Sequence, residues 1–416
     1  GFEFEINHCS FRSDNRSIHA HPSKGYFLIT KNLTEHHPAS YPFVIMGRIV
    51  GPAISELIFT SEGQKSWRSH YNLPFGGGYR VNIEVRYLHF NSENFTSDYV
   101  YSVNNELLRD YFFEIQARDK IKVFEEIGRF KECTLSSFNR GGYWKTIHPH
   151  HLHPKWLLDD GFLLVSAQQT YMVTQLAESL IYQPRVCKIK QLGDAQECKY
   201  SENTREICFI GDSQIRHLAA AIYGIFQHNY TIFQSSRDKK TDKQVYLNDQ
   251  MHYIVDNWVE MKFDDIQRQQ IANCSIILLN FGQWHASYST IPDLKRGPFT
   301  VSEYKALVQH TLQAYLKLIA SSPTKLYFLG TMPFGQSSRL YLPNDHIEKD
   351  YRNDVILRAY NAVGMEVCHS LSSVRCMNLF EMGNVVRDLS YDLAHFKAPV
   401  GTQMALAVLT TLCNDQ

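Results

Sequence analysis

The stretch Glu206-Ile207-Cys208-Phe209-Ile210-Gly211-Asp212-Ser213-Gln214-Ile215-Arg216 decides the fold of this chain. Its first half is an apolar run rich in Ile and Phe, which reads as a buried strand. The run stops at Gly211-Asp212-Ser213. A helical pattern follows at once, with Ile215, Leu218, Ile222 and Ile225/Phe226 recurring at spacings of three and four. A strand that turns sharply into a helix lifts one side chain above the sheet, at the positive end of the new helix. If that side chain is Ser213, a nucleophile would sit there. The plainer reading is an Asp/Ser helix cap and nothing more.

Downstream of this stretch, strands and helices alternate. Ser275–Leu279 (SIILL) and Lys325–Gly330 (KLYFLG) are further buried runs. Between them Thr300-Val301-Ser302-Glu303 has capping-box spacing and opens a helix. Its apolar stripe is Tyr304, Leu307, Val308, Leu312, Tyr315 and Ile319. Another helical stretch covers roughly 350–367, and Pro399 fits the first turn of a last helix with Met404, Ala407, Val408 and Leu412 on one side. Such alternation predicts a parallel α/β sheet, whose ligands bind beyond the carboxyl ends of the strands.

Upstream, residues 1–120 read as all-β. Gly25–Thr30, Tyr41–Val50 and Ile54–Thr60 are strand-like, and Tyr79–Tyr87 alternates apolar and polar side chains, as a strand with one face in water does. Asn72–Gly78 (NLPFGGG) supplies the turn before it. Short strands with such turns suggest a sandwich. No titratable cluster in this half marks a site. Residues 121–416 form the second expected domain, of which 121–200 is an irregular lead-in. His148, His150, His151 and His153 lie in that lead-in. Proline interrupts them and no HxxxH pair falls on a regular element, so they read as loop rather than metal site.

The 416 residues carry 42 basic and 42 acidic side chains, which gives no indication of a nucleic-acid partner. The short cluster Arg237–Lys243 contains two Asp and reads as a solvated loop. Hydrophobic residues make up 44% and aromatic ones 13%, enough for a large core. No run of 18 apolar residues is present, so no transmembrane helix is expected. The chain opens on Gly1-Phe2-Glu3, as a processed or truncated chain would, and a membrane anchor outside it is compatible with this start. Five Asn-X-Ser/Thr sequons, at Asn15, Asn32, Asn94, Asn229 and Asn273, are glycosylation candidates that fit the secretory pathway. Nine cysteines without a CxxC metal pattern agree. Cys208 and Cys274, in expected buried strands, read as plain core thiols, while several others are expected to pair as disulfides.

Three stretches fall at the carboxyl ends of elements or just before the last helix: Gly211-Asp212-Ser213, Asn280-Phe281-Gly282-Gln283-Trp284-His285 and Asp392-Leu393-Ala394-His395. Together they offer what acyl transfer needs. A serine hydroxyl is a weak nucleophile and requires a base, and His395 supplies an imidazole that titrates near neutrality. Asp392 would hold its tautomer and stabilise the imidazolium. The backbone N–H of Ser213 and donors from Asn280–Trp284 are candidates for the oxyanion. The order is Ser, Asp, His without a G-x-S-x-G elbow, unlike the usual α/β-hydrolase pattern.

GDS followed by a distant D-x-x-H resembles the SGNH/GDSL esterase superfamily. Gly211–Arg216 is similar to the G-D-S-x-x-R of its PC-esterase branch, Asn280–Trp284 to the N-x-G-H-W segment of trichome-birefringence-like polysaccharide O-acetyltransferases, and Asp392–Pro399 to their D-x-x-H-W-C-x-P, with Lys397 in place of the cysteine. Gly142-Tyr143-Trp144 resembles their Gly/Trp segment ahead of the catalytic domain. The N-terminal half, with Ser55–Trp67 and the Gly76–Val85 strand, resembles the Ig/filamin-like domain of neurexophilin-and-PC-esterase-domain proteins. The resemblance implies an SGNH-like three-layer α/β/α parallel-sheet domain behind an N-terminal Ig/filamin-like β-sandwich. It implies a carbohydrate O-acetyltransferase working through an acyl-serine intermediate, with Ser213, Asp392 and His395 catalytic. Arg216, Asn280, Gly282 and Gln283 would bind the oxyanion or acyl group, and Trp284, His285 and Phe396 the sugar. No counterpart of the superfamily's second-block Gly is found in Tyr230–Arg237. The alternatives are a secreted carbohydrate acetyl-esterase using the same site, and a non-catalytic glycan-binding or adhesion protein. No cofactor is implied beyond an acetyl donor such as acetyl-CoA as co-substrate. The partner would be a glycan, and the compartment the Golgi lumen or the extracellular space.

Overall fold

The computed structural model describes residues 3–10, 24–32, 43–63, 65–88, 101–115, 129–146, 180–190, 194–195, 206–226, 244–248, 251–257, 259–286, 299–333, 352, 354–387, 395–396 and 400–415. The chain divides into two compact units. The first runs to Phe130 and takes in the strand at Tyr143. The second holds Lys131–Gly142 and the chain from Tyr182 to Gln416.

The first unit is antiparallel β. Strands β1 (Glu3–Ser10), β2 (Lys24–Asn32), β5 (Thr60–Ser61) and β6 (Ser66–Asn72) make one sheet in the order β1–β2–β6–β5. Strands β3 (Phe43–Val50), β4 (Ala53–Ile58), β7 (Gly77–Leu88), β8 (Tyr101–Ile115) and β9 (Gly142–Thr146) make another, in the order β9–β4–β3–β7–β8; β10 (Leu180–Pro184), of which Leu180 and Ile181 fall in this unit, follows β9 in that order. Alternation in β7 works as the sequence predicts: Tyr79, Val81 and Ile83 are buried and Arg80 is exposed. They share one core with Phe27, Ile29, Trp67 and Tyr71 of the first sheet and Ile45, Ile49 and Leu57 of the second.

The second unit is mixed α/β. Its strands are β11 (Glu206–Gly211), β12 (Gln244–Asn248), β13 (Met251–Val255), β14 (Cys274–Asn280), β15 (Lys325–Phe328) and β16 (Val374–Cys376). Its helices are α1 (Leu135–Phe138), α2 (Ser213–Phe226), α3 (Asp265–Asn273), α4 (Val301–Leu318), α5 (Asp354–Ser370), α6 (Phe380–Asn384) and α7 (Val400–Asn414). The sheet order is β12–β13–β11–β14–β15–β16. Five strands are parallel, and β12 runs antiparallel at the edge. From β11 the chain moves first to β12 and β13 on one side and then to β14 on the other. The strand order therefore reverses between β11 and β14, the place where a parallel sheet opens a crevice beyond its carboxyl ends. Gly211 and Asn280 are register partners at that end.

Local chemistry accounts for the elements. Thr300 caps α4 by accepting from the Glu303 N–H at 3.1 Å, and Glu303 returns the bond to the Thr300 N–H at 2.7 Å. The predicted stripe packs inward: Tyr304, Val308, Leu312 and Tyr315 are buried, Ile319 follows at the cap, and Leu307 is half-buried. Helix α7 departs from the one-sided expectation. Leu406 and Leu409 are buried as well as Met404, Ala407, Val408 and Leu412, so this helix lies inside the fold rather than on its surface.

The cysteine expectation needs one correction. Cys208 and Cys274 are not free thiols but form a disulfide between β11 and β14. Adjacent strands bring the two Cα atoms to 5.8 Å, within bridging range. Cys133–Cys187 and Cys368–Cys376 are also bonded, and Cys413 is disulfide-bonded. Disulfides of this kind fit a secreted or luminal protein. No helix among the described residues is long and apolar enough to cross a membrane.

Candidate active site

The carboxyl ends of β11 and β14 meet at a turn that only glycine can make. Gly211 has φ +140°, and a Cβ there would fall 1.8 Å from the Asn280 carbonyl oxygen on the neighbouring strand. The chain therefore leaves β11 against β14 and enters α2 at Ser213. Asp212 is fully buried, and its Oδ1 accepts the Gln214 N–H at 2.9 Å, satisfying a donor of the first turn. The Tyr253 hydroxyl donates to the Asp212 carbonyl at 3.2 Å, and the Asp256 N–H donates to the Gly211 carbonyl at 2.9 Å. Pinned from both sides, Ser213 stands half-buried at the head of the helix.

Against it lies His395, 182 residues further on, with Nε2 2.6 Å from Ser213 Oγ. With that nitrogen unprotonated, the hydroxyl donates to it, which is the ground-state geometry of a base about to activate a nucleophile. The ring of His217, one turn along α2 from Ser213, packs on His395 with centroids 4.2 Å apart. Asp392 lies outside the described residues, as do Asn15, Asn94, Asn229, the histidines at 148–153, the 230–237 segment and Pro399.

The turn after β14 is the second wall. Gly282 has φ +131°, and a Cβ on it would meet Thr331 Oγ1 at 2.7 Å and the Tyr304 hydroxyl at 2.8 Å. The Asn280 Nδ2 donates to the Gly330 carbonyl at 2.6 Å, and the Gln283 Nε2 to the Met332 carbonyl at 2.7 Å. Both amides thus tie the exit of β14 to the exit of β15, and each spends a donor there. The Asn280 Oδ1 and Gln283 Oε1 have no partner among the described residues. Beneath the turn, the Tyr304 hydroxyl donates to the Phe281 carbonyl at 3.1 Å, and Tyr304 stacks on Tyr360 at 4.0 Å between centroids.

The remaining predicted residues separate by burial. Arg216 is half-buried on α2, its Nε without a partner among the described residues, and Trp284 is half-buried. His285 is buried, with its ring 5.2 Å from Phe299 and 5.9 Å from Tyr304. Phe396 is buried over Gly383, where a Cβ would meet its ring at 3.0 Å. His285 and Phe396 therefore pack against neighbouring side chains inside the fold. Asn273 ends α3 in an exposed position, while Asn32 lies in β2.

Electrostatics single out Asp212. Burial pushes its carboxyl up to about 6, outweighing the Gln214 N–H, the nearby His395, the Gln283 backbone N–H and Arg352, which all favour the ionised form. Its Oδ2 completes no hydrogen bond among the described residues. Among the described residues no group of three or more His, Cys, Asp or Glu is gathered as a metal would require.

Two features escape the sequence reading. The parallel neighbour of β11 is Met251–Val255, and the loop that follows it, from Asp256, is bonded to Gly211 through the Asp256 N–H. It holds no glycine, yet Val259 and Met261 take φ +55° and +53°. The Asp256 carboxylate holds this loop by accepting the Glu260 and Met261 N–H groups at 2.9 and 3.2 Å. The signal available was the apolar run MHYIV, masked by the histidine within it. The other feature is His217, whose only signal was its spacing of four from Ser213.

No protein-family profile matches this chain, and no curated protein matches it. A solved crystal structure is similar over 52% of this chain and 98% of its own length, at 14% identity and a TM-score of 0.29. A likeness at that level carries no argument about fold or function.

Proposed function

We propose that this chain is a carbohydrate O-acetyltransferase that moves an acetyl group through an acyl-serine intermediate to a glycan hydroxyl. The observation that carries the reading is the 2.6 Å contact between Ser213 Oγ and His395 Nε2, made at the reversal point of a parallel sheet. In the first half-reaction His395 takes the Ser213 proton as Oγ attacks the acetyl carbonyl. The tetrahedral intermediate collapses, the bond to the donor's leaving group breaks, and His395 returns the proton to that group. In the second half, a sugar hydroxyl gives its proton to His395 and attacks the acyl-serine, and Ser213 leaves with the proton. Asp392 is the partner of the His395 ring in this reading. In this reading the Ser213 backbone N–H, donors of the Asn280–Trp284 segment and Arg216 serve the oxyanion.

The same reading takes the second unit as an SGNH-like three-layer domain, the first as an Ig/filamin-like sandwich, and the setting as the Golgi lumen or extracellular space. In this reading Trp284, which is half-buried, is the side chain that meets a sugar ring.

The test is to incubate the purified chain with an activated acetyl ester, with and without a glycan acceptor. Mass spectrometry should find an adduct of about 42 Da on Ser213, the acetyl expected of covalent catalysis. Ser213→Ala should abolish it and lower the rate by about a thousandfold or more. Absence of both adduct and turnover defeats the proposal. Acetate release without transfer to any sugar assigns the site to an esterase instead.

A further inference from the structure

Ser213 and His217 are four residues apart on α2 and therefore lie on one face, one turn along. His395 meets both: its Nε2 is 2.6 Å from Ser213 Oγ, and its ring centroid is 4.2 Å from that of His217, with the planes 34° apart. A second imidazole, which the transfer steps do not use, thus covers one face of the base. We infer that His217 is a positioning residue for acyl transfer. Its ring packs at a tilt on His395, holds that imidazole aimed at Ser213, and stabilises the positive charge the imidazole gains on taking the serine proton. The inference rests on His395 being the base.

The outer torsion of a histidine is broad, so covalent geometry alone does not aim Nε2 at a hydroxyl. A second ring packed 4.2 Å away against the imidazole restricts that torsion. The electrostatic part follows from the charge of an aromatic face. A cation within about 6 Å of a Trp, Tyr or Phe face is attracted, most strongly where water is excluded, and a neutral imidazole offers a π face of the same kind. His395 is a cation only after it has taken the proton. The contact therefore strengthens along the reaction and raises kcat rather than substrate binding.

The experiment compares His217→Phe, His217→Leu and His217→Ala in the full chain. Each is measured for kcat and KM with the activated acetyl ester, for the rate of Ser213 labelling by a fluorophosphonate, and for melting temperature. Phe keeps the ring face, Leu keeps only bulk, and the Leu–Phe comparison decides even where Ala fails to fold. The expected result is kcat and labelling within about threefold of the native chain for Phe, and about tenfold lower for Leu and Ala with KM nearly constant. Leu as active as Phe, Phe as slow as Leu, or all three at the native rate overturns the inference alone. A native chain that neither turns over nor labels at Ser213 overturns the proposed function, and the inference falls with it.

Discussion

Asp212 and Gly211, beside the nucleophile, are the residues with the sharpest consequences. The Asp212 carboxyl is pushed from its usual 3.8 up to about 6 by burial. The folded chain then binds a proton more tightly than the unfolded one, so this group's contribution to stability is greatest below about pH 4. It is lost as the pH rises through about 6. Replacing it by Asn keeps the acceptor for the Gln214 N–H and removes the buried charge. Asp212→Asn should be more stable than the native chain at pH 7, by an amount approaching 3 kcal/mol (about two pH units at 1.36 each), with the gap closing near pH 4. Urea titrations at the two pH values measure this, and an equal gap at both would contradict it. Gly211→Ala has no such compensation. Its methyl would lie 1.8 Å from a backbone oxygen of a paired strand, in a backbone conformation that L side chains rarely adopt. A loss of about 3 kcal/mol or more, together with the Ser213 adduct, is expected from a melting curve and mass spectrum. The sequence announces Gly-Asp-Ser plainly. It cannot announce how close the facing carbonyl comes, because that distance belongs to a strand more than sixty residues away.

Among the elements, those with local signals are the ones the sequence makes legible. The capping box at Thr300 and Glu303, the stripe along α4, and the strand-turn-helix of β11 and α2 all depend on residues within a turn or two of each other. Thr300→Ala should therefore cost about 1 kcal/mol of stability. It should leave the rate of acyl transfer within about twofold, since α4 supports the Gly282 turn through Tyr304 and not through its cap. A steady-state assay beside a denaturation curve checks both halves. Elements with weak local signals go unread. β13 is five residues with a histidine among them, and β16 is three. Each is a strand because a neighbour in the sheet completes its hydrogen bonds, and neither carries a periodicity of its own.

For the whole molecule, cross-links and topology matter most. The three disulfides whose partners are both described join cysteines of the second unit. Reduction should therefore raise amide hydrogen exchange in β11, β14 and α5 while β3 and β7 keep their protection. Exchange read by mass spectrometry, with and without reductant, tests this, and a uniform loss across both units would refute it. The sequence by itself determined which segments are strands and helices around Gly211-Asp212-Ser213, and which residue types are present for acyl chemistry. Those properties follow from short-range periodicity, capping and side-chain chemistry. Only the tertiary structure decided that His395 meets Ser213 and packs on His217. It alone decided that Cys208 bonds to Cys274, that Asn280 and Gln283 each spend an amide donor on the carbonyls after β15, and that His285 and Phe396 pack inside. Each of those outcomes depends on which strands become neighbours, and the order of strands in a parallel sheet is set by long-range packing that leaves no mark at fixed spacing along the chain.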